Sequence, residues 1–167
     1  MASLLFSTID VTRQAFFRSS LTYAIVNLKP IVPGHVLVIP TRYVSRLAEL
    51  SEPELFSLMR AVNQVGSVIE RVYGADGLTV ACQDGEAAGQ TVPHVHFHIL
   101  PRKLAGDRFS GQNNDLVYPA LQKAEAEMAQ PFKVDADEDR APRTMEEMVK
   151  EAAWLREFFP AEEGSGQ

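Results

Sequence analysis

The chain has 167 residues, 46% of them hydrophobic and 23% charged, with a formal net charge of −6 at pH 7. That length favours one domain, which buries about 68–70% of its unfolded surface and so needs neither disulfide nor metal to hold a core. The acidic balance excludes a general nucleic-acid footprint, and the single cysteine, Cys82, excludes an internal disulfide framework.

No stretch is long and apolar enough to cross a membrane. The opening Met1-Ala2-Ser3-Leu4-Leu5-Phe6 lacks a basic leader followed by a long apolar run, so a secretory signal is not expected. The expected compartment is the cytoplasm, with the nucleus second. Residues 1–20 carry Phe6, Ile9, Val11, Phe16 and Phe17 in short extended pieces. Residues 21–27 read as a strand that ends before Pro30, and residues 35–39 read as the next. Pro33-Gly34 marks the turn between them, making a hairpin. Alternation places Ile25 with Asn27 on one face, and His35 with Leu37 and Ile39 on one face.

Ser51 and Glu54 form a capping box, and apolar residues from Leu55 to Tyr73 follow helical spacing up to Gly74. Residues 78–83 form another strand that carries Cys82 and ends at Gln83, followed by a loop of small residues over 84–89. Beyond Arg102 the chain turns polar and proline-containing. A helix over residues 116–128 competes with Pro119, and 104–143 is expected to be largely mobile. Thr144 and Glu147 form a second capping box for a helix reaching residue 159, and 161–167 is expected to be a disordered tail.

The chemistry concentrates in Gln90-Thr91-Val92-Pro93-His94-Val95-His96-Phe97-His98-Ile99-Leu100-Pro101. Three of the four histidines alternate with Val95, Phe97 and Ile99. In a strand that spacing puts the imidazoles on one face, about 6.5–7 Å apart, and the apolar residues on the other. Imidazoles serve as metal ligands or as nucleophiles and acid–base groups. Collinear histidines do not converge tetrahedrally without a further ligand, and no His-Glu-x-x-His or Cys-x-x-Cys signature accompanies them. Gly89, Gln90, Thr91 and Val92 could instead present backbone N–H groups and a hydroxyl to an anion.

This stretch resembles the signature of the histidine triad superfamily, His-x-His-x-His-x-x. Tyr23-Ala24-Ile25-Val26-Asn27, Pro33-Gly34-His35-Val36-Leu37-Val38, Gln83-Asp84-Gly85 and Pro101-Arg102-Lys103 resemble its fragile histidine triad branch. The resemblance covers residues 21–103 and resumes around Tyr118 and in the terminal helix. It implies an α+β histidine-triad fold, an antiparallel sheet carrying the long helix and the C-terminal helix. It implies one domain, with a catalytic core over 1–103 completed by a helix over 144–160.

The resemblance further implies hydrolysis of dinucleoside polyphosphates, diadenosine triphosphate giving AMP and ADP. His96 would be the nucleophile, with His98 and His94 contacting phosphates and His35 supporting the triad from behind. Gln83, Gly89, Gln90, Thr91 and Val92 would hold the phosphate chain, Asn27 a ribose, and Ile25, Leu37 and Phe6 the adenine. A divalent Mg or Mn would arrive on the substrate rather than in a protein metal site, and the protein would be a homodimer that binds neither nucleic acid nor membrane. Animal members of the branch carry a histidine near the N-terminus where this chain has Ser7-Thr8, which leaves substrate contacts from that segment open. Three alternatives stay open: cleavage of nucleoside phosphoramidates, a nucleotide-bound signalling module with slow hydrolysis, and a metal-binding protein.

Overall fold

The computed structural model describes residues 2–129 and 142–160. The expected tail over 161–167, and the part of the connecting segment over 130–141, lie outside those residues.

A small hairpin opens the chain: β1 (Leu5–Phe6) pairs with β2 (Ile9–Asp10). The main sheet contains β3 (Ala15–Arg18), β4 (Thr22–Val26), β5 (Val36–Pro40), β6 (Gly77–Ala81) and β7 (Phe97–Arg102). It is antiparallel throughout, in the order β3-β4-β5-β7-β6. Helices α1 (Glu52–Val72), α2 (Val117–Met128) and α3 (Met145–Arg156) complete the described elements.

Strand alternation sorts the side chains into two layers. Ala24, Val26, Val36, Val38 and Ile99 join one core with Leu58, Val65 and Ile69 of α1 and Met148 and Leu155 of α3. Tyr23, Ile25, Leu37 and Ile39 point to the opposite face, where Phe6 and Val92 cover them. Leu100 lies on that second face with Val117 and Leu121 of α2. His98 stands opposite Leu37 in the β5–β7 register and so faces the same way.

Three sequence expectations change. The triad does not share one strand, because β7 begins at Phe97 and leaves His94 and His96 ahead of it. Pro93 can donate no ladder bond, and Val95 N–H turns to the Val44 carbonyl at 2.8 Å. The Pro40 carbonyl at the end of β5 receives the His94 ring instead, at 2.8 Å. The alternation nevertheless survives: Val95 and Ile99 are buried against α1. Secondly, α2 forms despite Pro119, which occupies the first turn, where its missing N–H has no intrahelical partner to lose. The terminal helix stops at Arg156, short of residue 159.

Both capping boxes form. In the first, Ser51 N–H donates to Glu54 Oε1 at 3.0 Å and Arg42 grips the same carboxylate through Nε and Nη2. The Arg42 hydrogen bonds, aided by the Ser51 backbone, pull the Glu54 carboxyl down from 4.5 to about 2. A depressed carboxyl contributes stability that is present above its unfolded value and lost as pH falls through its folded value. Arg42 is half exposed, so solvent screening limits the contribution. Glu54→Gln is therefore expected to cost about 1–2 kcal/mol at pH 7. In urea titrations the gap between the two proteins should close as pH falls from 4.5 towards 2. A gap that stays constant over that window would remove the ion pair as its cause.

Candidate active site

The site is built at the junction where the chain enters β7. All four histidines are buried there. The turn over residues 31–35 fixes the first of them: Ile31 N–H donates to His35 Nδ1 at 3.1 Å. His35 Nε2 then carries the proton and donates to His98 Nδ1 at 2.9 Å. That leaves His98 Nε2–H directed outward. Burial lowers the His98 pKa, which keeps the ring neutral and the relay in this tautomer.

His94 has both ring nitrogens engaged by backbone. Ser7 N–H donates to Nδ1 at 3.0 Å, so Nε2–H donates to the Pro40 carbonyl. Burial lowers its pKa as well. Ser7 reaches this bond with φ of 55°, in the left-handed region that non-glycine residues rarely adopt. The segment carrying Ser7-Thr8 therefore braces the triad through its backbone. His94 orients the middle ring through its own carbonyl, which accepts from His96 Nδ1 at 2.6 Å. The His96 atom facing the site is consequently Nε2.

A cavity of about 440 Å³ adjoins the triad, and its lining includes Phe6, Ile25, Asn27, Leu37, Ala124 and Met128. Phe6 meets the His96 ring edge-on at 5.1 Å between centroids. The wall is apolar at Ile25 and Leu37 and polar at Asn27. Asn27 Nδ2 lies 3.1 Å from His35 Nδ1, and its backbone carbonyl accepts from Arg143 Nε at 3.0 Å. Arg143 in turn pairs with Glu151 of α3, so the C-terminal helix anchors this corner.

The HIT domain family profile matches residues 9–105. The chain belongs to the HIT-domain family. It is 47% identical over 179 residues to a Schizosaccharomyces pombe protein named bis(5'-nucleosyl)-tetraphosphatase (asymmetrical), with 96% of each chain covered. It is 47% identical over 147 residues to an Arabidopsis thaliana protein named bifunctional bis(5'-adenosyl)-triphosphatase/adenylylsulfatase FHIT, covering 88% of this chain and 78% of that one. These relatives place it on the fragile histidine triad branch. Among solved structures, the Caenorhabditis elegans NitFhit protein superposes with a TM-score of 0.69 at 31% identity, over 94% of this chain and 30% of that longer one.

In this HIT protein the loop before the triad is tightly tied. Gln90 Oε1 accepts from Gly85 N–H at 2.8 Å, while its Nε2 donates to the Ser45 and Val92 carbonyls. The Gln90 side chain thus shapes the loop, and the face it leaves open is backbone. Gly89 turns with φ of 92°, close to Gln83, whose Oε1 is buried without a hydrogen bond among the described residues. Cys82 is half-buried, and desolvation pushes its thiol up to about 11, away from thiolate chemistry.

One residue escapes the sequence reading. Glu125, fully buried on α2, places Oε2 2.8 Å from His96 Nε2 and 3.0 Å from His98 Nε2, while Oε1 accepts from Thr91 N–H at 3.1 Å. Thr91 Oγ1 also donates to the Glu125 carbonyl. Burial alone would raise this carboxyl; the close contacts with the His96 and His98 rings outweigh that and hold it well below its ordinary range. The available signal was a carboxylate interrupting an apolar stripe: Val117, Leu121 and Ala124 are buried beside it. The relevant atoms of His96, His98 and Glu125 lie within 4.8 Å of one another. With the His35 relay in this tautomer, His98 offers that point an N–H, while His96 Nε2 and the Glu125 carboxylate offer lone pairs.

Proposed function

We propose that this chain hydrolyses dinucleoside polyphosphates, cleaving diadenosine triphosphate to AMP and ADP through a nucleotidyl-histidine intermediate. The carrying observation is the convergence of two donors, Thr91 N–H and His98 Nε2–H, on one carboxylate that lies 2.8 Å from the His96 Nε2 atom. That carboxylate stands in for a phosphate, whose non-bridging oxygens call for the same donors. The names of the relatives from Schizosaccharomyces pombe and Arabidopsis thaliana support the substrate class.

In this reading His96 Nε2 attacks the α-phosphorus of one nucleotide, and the P–O bond to ADP breaks. The new P–N bond is then hydrolysed by water, which releases AMP and restores the imidazole. The His94 carbonyl fixes the attacking tautomer by accepting from Nδ1. His98 Nε2–H and backbone donors around Gly89, Gln90, Thr91 and Val92 stabilise charge on the equatorial oxygens. Gln83 extends along the phosphate chain. Asn27 meets the ribose, and Ile25, Leu37 and Phe6 form the adenine slot; their position on the cavity wall supports this. His35 acts through His98. A divalent Mg or Mn rides on the polyphosphate.

The same reading includes a homodimer. Its support is apolar surface left on α1, where Phe56 is 66% and Met59 47% exposed, and Val80 on the edge strand β6. No helix among the described residues is long and apolar enough to cross a membrane, which accords with a cytoplasmic or nuclear setting.

Side-by-side rates on diadenosine triphosphate and adenosine 5'-phosphoramidate, run in ¹⁸O-water, test the activity. Faster cleavage of the dinucleotide is expected, with label in AMP and none in ADP. Preferential cleavage of the phosphoramidate would move the chain to the phosphoramidase reading. Label in ADP would displace the attack from the α-phosphorus.

A further inference from the structure

The phosphate position of this chain is filled by the chain itself. Glu125 brings a carboxylate onto the His98 and Thr91 donors that a phosphate would need, beside the attacking atom of His96. Its oxygen sits 2.8 Å from the Nε2 atom that must attack. Reacting atoms have to approach within about 3–3.5 Å, so carboxylate and phosphorus cannot occupy this place together.

We propose that Glu125 is a built-in competitor for the phosphate site, and that α2 must withdraw its carboxylate before a nucleotide can bind. This rests on the phosphate-transfer reading above. A buried ionised carboxylate is stable only while paired, and among the described residues its partners are the proposed catalytic groups rather than a dedicated arginine or lysine. α2 is also lightly fastened on its own account. No side chain among the described residues caps its N-terminus, and Val117, Leu121 and Ala124 are its buried apolar residues. The same helix contributes Ala124 and Met128 to the cavity wall. Withdrawing Glu125 therefore frees His96 and opens the nucleoside pocket in one movement. The apparent affinity for nucleotide is reduced by the fraction of molecules in which α2 is withdrawn.

The test compares wild type, Glu125→Gln and Glu125→Ala, each first shown by thermal melting to be folded. AMP affinity is measured by calorimetry and kcat/KM on diadenosine triphosphate. Both substitutions should tighten AMP binding by about tenfold or more and raise kcat/KM by a similar factor through KM. AMP should also increase amide exchange across residues 117–128 of the wild type. Leu121→Ala, which loosens α2 without touching the triad, should shift AMP affinity the same way and serves if the Glu125 variants do not fold. Unchanged or weaker AMP binding in the folded variants overturns the proposal, as does a fall in kcat with a reshaped pH profile, which would put Glu125 in the chemistry. Wild-type protein without diadenosine triphosphate hydrolysis would instead remove the functional reading. The AMP-dependent exchange of α2 would still decide whether Glu125 is displaced.

Discussion

Replacing His96 with asparagine should lower kcat on diadenosine triphosphate by about 10⁴-fold or more, the scale at which loss of a nucleophile is felt. The reason is the placement of one lone pair. Nδ1 is committed to the His94 carbonyl at 2.6 Å, so Nε2 alone can bond to phosphorus. An asparagine side chain keeps a polar group of similar reach but offers no nucleophilic nitrogen. AMP affinity should consequently stay within about tenfold, since one neutral hydrogen bond contributes about 0.5–1.5 kcal/mol at most. Loss of turnover with binding retained separates the nucleophile from a binding residue. A competing mechanism uses His96 only as a base towards water, for which the expected loss is about 10²–10⁴-fold. Mass spectrometry of rapidly quenched wild type distinguishes the two. The covalent route predicts a nucleotidyl adduct on the peptide containing His96, absent from His96→Asn. Turnover in the variant close to wild type would remove His96 from the reaction altogether.

The parts of this site that could be read from sequence are those set by short-range periodicity. Ile25 with Asn27, and Leu37 with His35, follow from strand alternation, and the structure brings Ile25, Asn27 and Leu37 to one cavity. The same rule brings His98 beside Leu37 across the β5–β7 ladder. The capping boxes at Ser51 and Thr144 are equally local and both form. Alternation failed to say where pairing starts, because the turn of the backbone at Pro93 depends on Val44, about fifty residues earlier in the chain. Glu125 was invisible for a stronger version of the same reason. Nothing within a turn of α2 calls for a carboxylate; its partners lie 27, 29 and 34 positions away. Arg143 bonds to Asn27 across 116 positions. Gln90 is expected to offer a phosphate its backbone, and which way its side-chain amide turns is not legible locally: it meets neighbours on three sides within the protein. Local pattern thus marks which faces can carry chemistry, while tertiary contacts decide which atoms remain available for it.

Gly34→Ala should be the most damaging single-methyl change in the fold, costing about 2–5 kcal/mol. Two contributions add. Gly34 sits at φ +88°, where an L-residue loses about 1–2 kcal/mol. A Cβ there would also come within 2.7–2.9 Å of Tyr73 Cδ2, Tyr73 Cγ and Pro101 Cγ. Overpacking of that kind adds about 1–3 kcal/mol. Neither neighbour yields easily: the Tyr73 hydroxyl donates to Glu151 at 2.8 Å, and Pro101 lies within β7. Gly106→Ala is the control, since it shares a positive φ, of +92°, but its Cβ would meet nothing within 4 Å among the described residues. Its expected cost is the conformational part alone, about 1–2 kcal/mol. Urea unfolding of the two variants at one pH measures the difference, which is the packing contribution. Equal losses would show that Tyr73 and Pro101 move aside freely. The damage should extend to catalysis, because Gly34 immediately precedes His35, the ring that sets the His98 tautomer through a 2.9 Å bond. Below its melting temperature, folded Gly34→Ala should therefore show reduced kcat, whereas Gly106→Ala should retain the wild-type value. A folded Gly34→Ala with unaltered kcat would mean that the turn and the relay are mechanically independent, and that His35 takes its position from Ile31 and Asn27 instead.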